Sequence, residues 1–163
     1  MADDIEIREL RGLAEICTIY PLYSQSGALP EALFAERLAA MLAQGNYRCI
    51  AAWQGERMVG VAGFWTGTQL WSGRYVEADH LVVDRELRSR GIGAKLMAWI
   101  EAEARRLGCD ITRAGMILGR ERTHHFYQRS GYSDDSLVVI KPLSAWADGE
   151  FPEAAAHRTA TEE

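Results

Sequence analysis

The chain has 163 residues, of which 48% are hydrophobic and 25% are charged, a composition typical of a soluble globular domain with a substantial core. The formal net charge of -5 argues against a nucleic-acid-binding protein, which needs concentrated Lys and Arg at its contact surface. An acidic surface is compatible with a cationic substrate, although net charge alone favours plain solubility.

The cysteines argue against a disulfide framework and against a zinc site. There are three, Cys17, Cys49 and Cys109, and none belongs to a Cys-x-x-Cys pair. We therefore expect no metal. The N-terminus is acidic and lacks an apolar signal core, and no apolar run approaches the length of a membrane span. These features predict a cytoplasmic protein with no membrane partner.

Taken in order, the first half of the chain predicts a sheet of antiparallel neighbours with helices inserted after its first strand. Alternating polarity predicts the strands, and apolar residues at helical spacing predict the helices. Pro21 is expected to stop the first helix. The predicted elements are an edge or near-edge strand over 5–10, helices over 13–20 and 30–45, and strands over 47–53, 58–65 and 74–83.

The second half predicts a strand–helix–strand crossover, which implies a parallel pair of strands. Its predicted elements are a helix over 91–107, a strand over 111–118, a short helix over 122–130 and a last strand over 136–141. We expect a single domain over residues 1–143. Residues 144–163 shift to Ala, Glu and Thr without periodicity, which predicts a partly disordered tail.

A charged turn joins the strand that ends at Val83 to the helix that begins at Gly91. Gly91 and Gly93 have no Cβ, so a ligand can approach their backbone closely. The N–H groups of a helix's first turn lack intrahelical partners, and the helix dipole adds positive charge, so this end suits a diphosphate. The cationic side chains nearby are Arg88, Arg90 and Lys95.

Two other glycine motifs do not fit this turn. A Walker loop requires Gly-Lys-Ser/Thr, but Lys95 follows Ala94 and precedes Leu96. A dinucleotide fingerprint requires a third glycine at position 96 and an opening βαβ unit, whereas this stretch lies in mid-chain. A plain glycine turn between a strand and a helix is the remaining structural alternative.

The strand Leu-Val-Val-Asp followed by Arg88-x-x-Gly91-x-Gly93 resembles the acyl-CoA-binding signature of the GNAT N-acetyltransferase superfamily. Residues 124–132 are similar to the second signature of that family, a short Phe-Tyr helix that closes on Gly-Phe or Gly-Tyr. The resemblance covers about residues 5–143. It implies an α/β fold of the α+β type, whose mixed, mostly antiparallel sheet is flanked by helices and splayed between its fourth and fifth strands.

The resemblance implies acetyl-CoA as the co-substrate, held where the sheet is splayed. The end of the fourth strand pairs with the pantetheine arm through its backbone, and the glycine turn takes the phosphates. His124 lies one helical turn before Tyr127 and is expected to contact the same molecule, unless it is an ordinary surface histidine. The implied cofactor-binding residues are Leu81, Val82, Val83, Arg88, Ser89, Arg90, Gly91, Ile92, Gly93, Ala94, Lys95, His124 and Tyr127.

The reaction that the resemblance implies is transfer of the acetyl group to an amine, which must first lose a proton. Glu77 is the first candidate for the base, followed by Asp79 and His80. Period-two geometry places Glu77 and Asp79 on one face of their strand and His80 on the other, unless a bulge, common there in the family, shifts the register. The alternative for each acid is an ion pair with Arg74 or Arg113.

Tyr127 occupies the Phe-Tyr position of the family and is the candidate general acid. A Tyr hydroxyl has a pKa near 10 and a thiol one near 8.5, so proton transfer to the departing thiolate is uphill by only about 2 kcal/mol. Positioning can offset such a difference. An amphipathic Tyr on a short helix is the alternative reading.

The amine acceptor is left open by the sequence, and a polyamine, an amino acid, an antibiotic and a peptide N-terminus all fit. The loop over 20–29 is expected to help choose it, and Trp53, Trp65 and Trp71 are either wall residues of an amine pocket or core. A homodimer is compatible with the resemblance. The alternatives in function are a non-catalytic acyl-CoA-binding regulatory module and an enzyme that uses another acyl-CoA.

Overall fold

The computed structural model describes residues 4–27, 29–141 and 143. It divides into two compact units, an N-terminal unit, Met1–Ala114, and a C-terminal unit that begins at Gly115. The N-terminal unit contains β1 (Ile5–Leu10), α1 (Gly12–Cys17), α2 (Tyr20–Tyr23), α3 (Glu31–Ala43), β2 (Tyr47–Gln54), β3 (Arg57–Gln69), β4 (Gly73–Val83), a 3-10 turn (Arg85–Leu87), α4 (Ile92–Arg106) and β5 (Ile111–Ala114). The C-terminal unit contains α5 (Glu121–Arg129).

The five strands form one sheet in the order β1-β2-β3-β4-β5, in which the first four are antiparallel neighbours and β5 runs parallel to β4. This confirms the predicted mixed, mostly antiparallel sheet flanked by helices. The pairing of β4 with β5 runs only from Tyr75–Ile111 to Ala78–Ala114, whereas β4 continues to Val83. Beyond Ala78, no described strand therefore pairs with this edge of β4, as expected for the predicted splay.

The sheet buries a different set of helices on each face. Helices α1 to α3 pack on one face, in a core cluster that includes Ile16, Phe34, Cys49 and Val61. Helix α4 packs on the other face, where Gly60 of β3 approaches the side chains of Ile92 and Leu96. Because each face is covered, the alternating side chains of β2 and β3 are apolar on both sides.

An ion-pair cluster joins the sheet to the last turns of α4. Arg48 on β2 contacts Glu9 at 2.7 Å and Glu103 on α4, and Arg106 also contacts Glu103 at 2.6 Å. The Arg48 guanidinium lies 5.0 Å from the centroid of the Phe64 ring. Hydrogen bonding to Arg106 and then to Arg48 lowers the pKa of Glu103 to about 2.

The Glu103 cluster makes stability depend on pH in acid. Because the pKa of Glu103 falls from 4.5 to about 2 on folding, its contribution is complete above pH 4.5 and is lost as the pH falls towards 2. We expect wild type to melt at a higher temperature than Glu103→Gln near neutral pH, with the difference shrinking through this window. Melting curves of both proteins across pH check it, and a difference that is constant with pH would contradict it.

Three predicted elements differ from the structure, each for a local reason. The helix predicted over 13–20 ends at Cys17, and Pro21 lies in the first turn of the short helix α2, because its fixed φ suits a first turn. The strand predicted over 111–118 ends at Ala114. Residues 136–141 form no strand, and the side chains of Leu137 to Ile140 are 73% to 90% exposed. An apolar, β-branched run becomes a strand only when a neighbour takes its backbone hydrogen bonds.

Two predictions concern the domain organisation of the chain. The tail predicted over 144–163 lies outside the described residues. The single domain over 1–143 stays a prediction. None of the described helices has the length and apolar character needed to cross a membrane.

Candidate active site

The turn after β4 is held by a buried carboxylate. Asp84 caps the 3-10 turn by accepting a hydrogen bond from the backbone N–H of Glu86 at 3.0 Å. Arg57 on β3 donates to Asp84 at 2.8 Å and to Glu86 at 2.9 Å. The Glu86 N–H, and then Arg57, lower the pKa of Asp84. The turn that carries the predicted phosphate site is therefore fixed at its start.

The N-terminus of α4 opens to solvent behind a left-handed turn. Gly91 is the N-cap with φ +80°, and Ser89 also has a positive φ of 65°. A Cβ at Gly91 would meet nothing within 4 Å, so the glycine is needed for its φ and not for space. The first-turn N–H groups belong to Ile92, Gly93 and Ala94, which have no intrahelical partner.

The other predicted cofactor residues lie around these N–H groups or along the end of β4. Arg88, Arg90 and Lys95 are exposed, and the Nε of Arg88 lies 3.4 Å from the carbonyl oxygen of Val83. The side chains of Ile92 and Val82 are buried in the core, so only their backbone is available to a ligand. A free strand edge beside an open, cation-flanked helix N-terminus fits an extended amide arm followed by a diphosphate.

Strand β4 contains a bulge directly after Asp79, one of the two candidate acids. His80 and Leu81 together oppose the single residue Ala62, and His80 has φ +35°. The bulge is the alternative that the sequence left open for the face on which His80 lies. The His80 ring lies beside Tyr47 on the face of the sheet that α1 to α3 cover. Asp79 lies on the same face, where its carboxylate contacts Trp65, which packs on Tyr47.

Asp79 is exposed, and neutral donors hold both of its carboxylate oxygens. The indole N–H of Trp65 donates to Oδ2 at 2.9 Å, and the backbone N–H of His80 donates to Oδ1 at 2.8 Å. The Trp65 ring in turn packs against that of Tyr47, with centroids 5.0 Å apart. These two hydrogen bonds therefore fix the orientation of the exposed carboxylate without neutralising its negative charge.

Glu77 lies in an ion pair, the alternative that the sequence left open for it. Arg113, its register partner on β5, contacts Oε2 through Nε at 2.8 Å and through Nη2 at 2.6 Å. Arg113 also donates to Gln69 at 2.9 Å and stacks 3.9 Å from the Tyr75 ring centroid. Glu77 and Arg113 are each about one third exposed.

The His80 ring fills space that a glycine leaves. Its Nε2 is hydrogen-bonded to the hydroxyl of Tyr47 at 2.5 Å, and the Tyr23 ring meets it edge-on at 6.2 Å. A Cβ at Gly63 would lie 2.2 Å from Nε2. Burial lowers the pKa of His80, with Asp79 opposing the shift, and burial raises the pKa of Tyr47.

The C-terminal unit holds the two remaining predicted residues on α5. Tyr127 is buried, its ring 5.2 Å from that of Phe126 and 5.4 Å from that of Tyr132. His124 contacts Asp134 at 2.6 Å and lies 3.2 Å from the side-chain nitrogen of Gln128. Both are on the short helix that the Phe-Tyr motif predicted.

Most of the aromatic surroundings of Asp79 were not predicted from the sequence. Of the three tryptophans considered for an amine pocket, only Trp65 contacts an acid, since Arg8 stacks over Trp53 and Trp71 is 68% exposed. Tyr47 and Tyr23 were not singled out. The available signal was Gly63, because a glycine inside a strand often marks a bulge or a close approach.

Among the described residues, no group of three or more His, Cys, Asp or Glu side chains lies together in a way that could hold a metal ion.

Comparison with known proteins identifies the family. The family model described as "Acetyltransferase (GNAT) family" matches residues 13–132. An aminoalkylphosphonate N-acetyltransferase of Salmonella typhimurium is 31% identical over 111 residues, which cover 68% of this chain and 72% of that protein.

Solved structures share the fold at low identity. An aminoglycoside antibiotic 6'-N-acetyltransferase from Acinetobacter haemolyticus superposes with a TM-score of 0.73 at 14% identity, covering 85% of this chain and 98% of its own. Glucosamine-6-phosphate N-acetyltransferase from Arabidopsis thaliana superposes with a TM-score of 0.67 at 16% identity, covering 86% and 99%. With the family match and the splayed sheet, these findings show that the chain belongs to the GNAT family of acetyltransferases.

Proposed function

We propose that the protein transfers an acetyl group from acetyl-CoA to a primary amine by direct attack in a ternary complex. The observation that carries the proposal is the edge of β4 beyond Ala78, which no described strand pairs with and which leads to the exposed N-terminus of α4. One strand thus offers backbone groups to an amide arm and ends at a helix dipole suited to phosphate. The cofactor is a co-substrate here, and it supplies the activated acetyl group.

On the cofactor side, the backbone of Leu81, Val82 and Val83 would bind the pantetheine arm. The N–H groups of Ile92, Gly93 and Ala94 would bind the diphosphate, with Arg88, Arg90 and Lys95 adding positive charge and Ser89 shaping the turn through its positive φ. Gly91 provides the left-handed N-cap that aims those N–H groups outward. His124 is retained as a further cofactor contact on the strength of the family resemblance.

On the acceptor side, Asp79 is the carboxylate that the contacts favour for binding the ammonium group, and we propose that it takes the proton through water. Among the described residues, its oxygens accept from the neutral donors Trp65 and the N–H of His80, so the negative charge is available to a cation. Glu77 shares its charge with Arg113. We retain Glu77 as the second candidate, acting through water.

Substitution of the two acids separates their roles. Asp79→Asn is expected to lower kcat/KM for the amine by roughly 10²- to 10⁴-fold, the usual contribution of a general base. Glu77→Gln, which removes the ion-pair partner of Arg113, is expected to lower stability more than Asp79→Asn does and to lower the rate less. Initial rates and melting temperatures of both variants check this, and the reverse order of rates would make Glu77 the base.

Tyr127 is proposed to protonate the departing thiolate. Its place in the Phe-Tyr motif supports this role, and a phenol is close enough in pKa to a thiol for the transfer to be efficient when the two groups are well placed. The acid and the base then act on different bonds of one addition–elimination reaction.

The acceptor is proposed to be a small primary amine. The similarity to an aminoalkylphosphonate N-acetyltransferase makes aminoalkylphosphonates the first class to test, followed by amino sugars and aminoglycosides. A homodimer and a cytoplasmic location stay predictions.

Direct attack is tested by initial rates at several fixed concentrations of each substrate. A ternary complex predicts intersecting double-reciprocal lines and no acetylated enzyme by intact mass after incubation with acetyl-CoA alone. Parallel lines together with an acetylated enzyme would overturn direct attack. Tight acetyl-CoA binding without turnover would favour the regulatory module, and turnover only with longer acyl-CoA would favour the other acyltransferase.

A further inference from the structure

The bulge in β4 is anchored by a single ring. His80 has φ +35°, a conformation that a non-glycine residue adopts only when its surroundings hold it there. The surroundings are the Tyr47 hydroxyl on Nε2, the space above Gly63, and the Tyr23 ring at 6.2 Å. Three separate elements, β2, β3 and α2, therefore converge on this one imidazole.

Neither ring nitrogen of His80 is available to accept a proton from an amine. Burial lowers the pKa of His80, which keeps the ring neutral, and raises that of Tyr47, which keeps its hydroxyl protonated. In either tautomer Nε2 is bonded to the Tyr47 hydroxyl, as the acceptor when the ring proton is on Nδ1 and as the donor when it is on Nε2. Within the described residues Nδ1 is buried and has no hydrogen-bond partner. The ring therefore offers no exposed lone pair to an amine.

The same residue orients the neighbouring carboxylate through its backbone. The N–H of His80 donates to Oδ1 of Asp79 at 2.8 Å, and the direction of that N–H depends on the bulge. The second oxygen is held by Trp65, whose ring packs on Tyr47. Tyr47 thus contacts both the ring that holds the bulge and the indole that holds Asp79.

We propose that His80 is a positioning residue of the acceptor site, which acts through the Tyr47 hydroxyl bond and the Gly63 space to fix the β4 bulge and hold the Asp79 carboxylate towards the amine. The inference rests on the proposed function. In this proposal His80 carries no proton, and Tyr47 and Gly63 support its ring.

Two substitutions at His80 separate positioning from proton transfer. In His80→Gln the side-chain amide can still bond the Tyr47 hydroxyl but does not titrate, whereas His80→Ala removes the ring altogether. We expect His80→Ala to lower kcat/KM for the amine by roughly 10- to 100-fold, as small misplacements of reacting groups do. His80→Gln should keep most of the activity and the wild-type pH profile. Calorimetry should give an unchanged Kd for acetyl-CoA in His80→Gln and a smaller change in Kd than in amine kinetics in His80→Ala, since Leu81 shares the bulge.

Substitutions at two glycines of β3 provide a matched control. Gly63→Ala places a Cβ 2.2 Å from His80 Nε2 and 2.6 Å from the Tyr47 hydroxyl, so it should reproduce the loss seen in His80→Ala. Gly60→Ala faces α4 instead, 3.0 Å from Ile92 and 3.1 Å from Leu96, and should change acetyl-CoA binding more than amine kinetics. Tyr47→Phe, which keeps the ring and removes the hydroxyl, serves if Gly63→Ala does not fold.

A readout independent of turnover comes from the Trp65 indole N–H, which reports the Asp79 contact. Its proton–nitrogen resonance, assigned with Trp65→Phe, should shift in His80→Ala and in Tyr47→Phe and stay close to wild type in His80→Gln. The proposal is overturned if His80→Ala matches wild type in this resonance and in amine kinetics, or if His80→Gln is as inactive as His80→Ala. Wild type that acetylates no amine would refute the proposed function, and the resonance alone would then decide the positioning role.

Discussion

Ala94→Glu is expected to raise the Kd for acetyl-CoA about 100-fold relative to Ala94→Gln, without destabilising the fold. Ala94 is exposed in the first turn of α4. Like charges about 4 Å apart near a protein surface repel by about 4 kcal/mol, and screening leaves about 2 to 3 kcal/mol, or about 100-fold in Kd. A carboxylate at a helix N-terminus stabilises the helix itself. Binding and stability should therefore move in opposite directions.

Calorimetry with acetyl-CoA and thermal melts of the two Ala94 variants test this separation. The Gln variant controls for side-chain size, because it differs from Glu only in charge. The gap in Kd should narrow as salt is raised, since the interaction is electrostatic. Equal affinities at low salt would mean that the diphosphate does not bind at the N-terminus of α4.

Tyr127→Phe is expected to lower kcat by roughly 10²- to 10⁴-fold and to leave the Kd for acetyl-CoA nearly unchanged. The substitution keeps the ring that packs on Phe126 and Tyr132 and removes only the hydroxyl. Loss of a proton donor slows the breakdown of the reacting complex, whereas the buried ring continues to support α5.

Tyr132→Phe is the matched control, because it removes a hydroxyl from the ring beside Tyr127 on the same unit. It should retain most of the wild-type kcat. Single-turnover rates with a saturating amine measure the chemical step in all three proteins. If Tyr127→Phe keeps the wild-type rate there, another group or water protonates the thiolate.

The fold was predictable where local pattern and long-range pairing agree. The hairpin β2–β3 and the helix α4 were predicted from the spacing of apolar residues and from glycine turns, and the structure confirms both. Pro21 was assigned to the end of a helix, although a proline fits equally well in the first turn of the next one. Residues 136–141 show that β propensity without a paired neighbour does not make a strand.

The cofactor side was easier to predict than the acceptor side for a physical reason. Phosphate binding by a helix N-terminus needs free backbone N–H groups and a positive φ at the N-cap, and a glycine such as Gly91 indicates both in the sequence. The orientation of Asp79 depends instead on Trp65, Tyr47 and the bulge at His80, which are contacts between strands. Spacing along one strand does not contain that information.

Acetyl transfer to an amine is measured as the release of CoA thiol from acetyl-CoA across a panel of primary amines, with acetyl-CoA binding followed by calorimetry alongside. We expect tight binding and turnover with one class of amine, which would also identify the acceptor. No binding of acetyl-CoA to a folded protein would contradict the assignment of the strand edge and the α4 N-terminus, and binding without turnover on any amine would contradict the catalytic role of Asp79 and Tyr127.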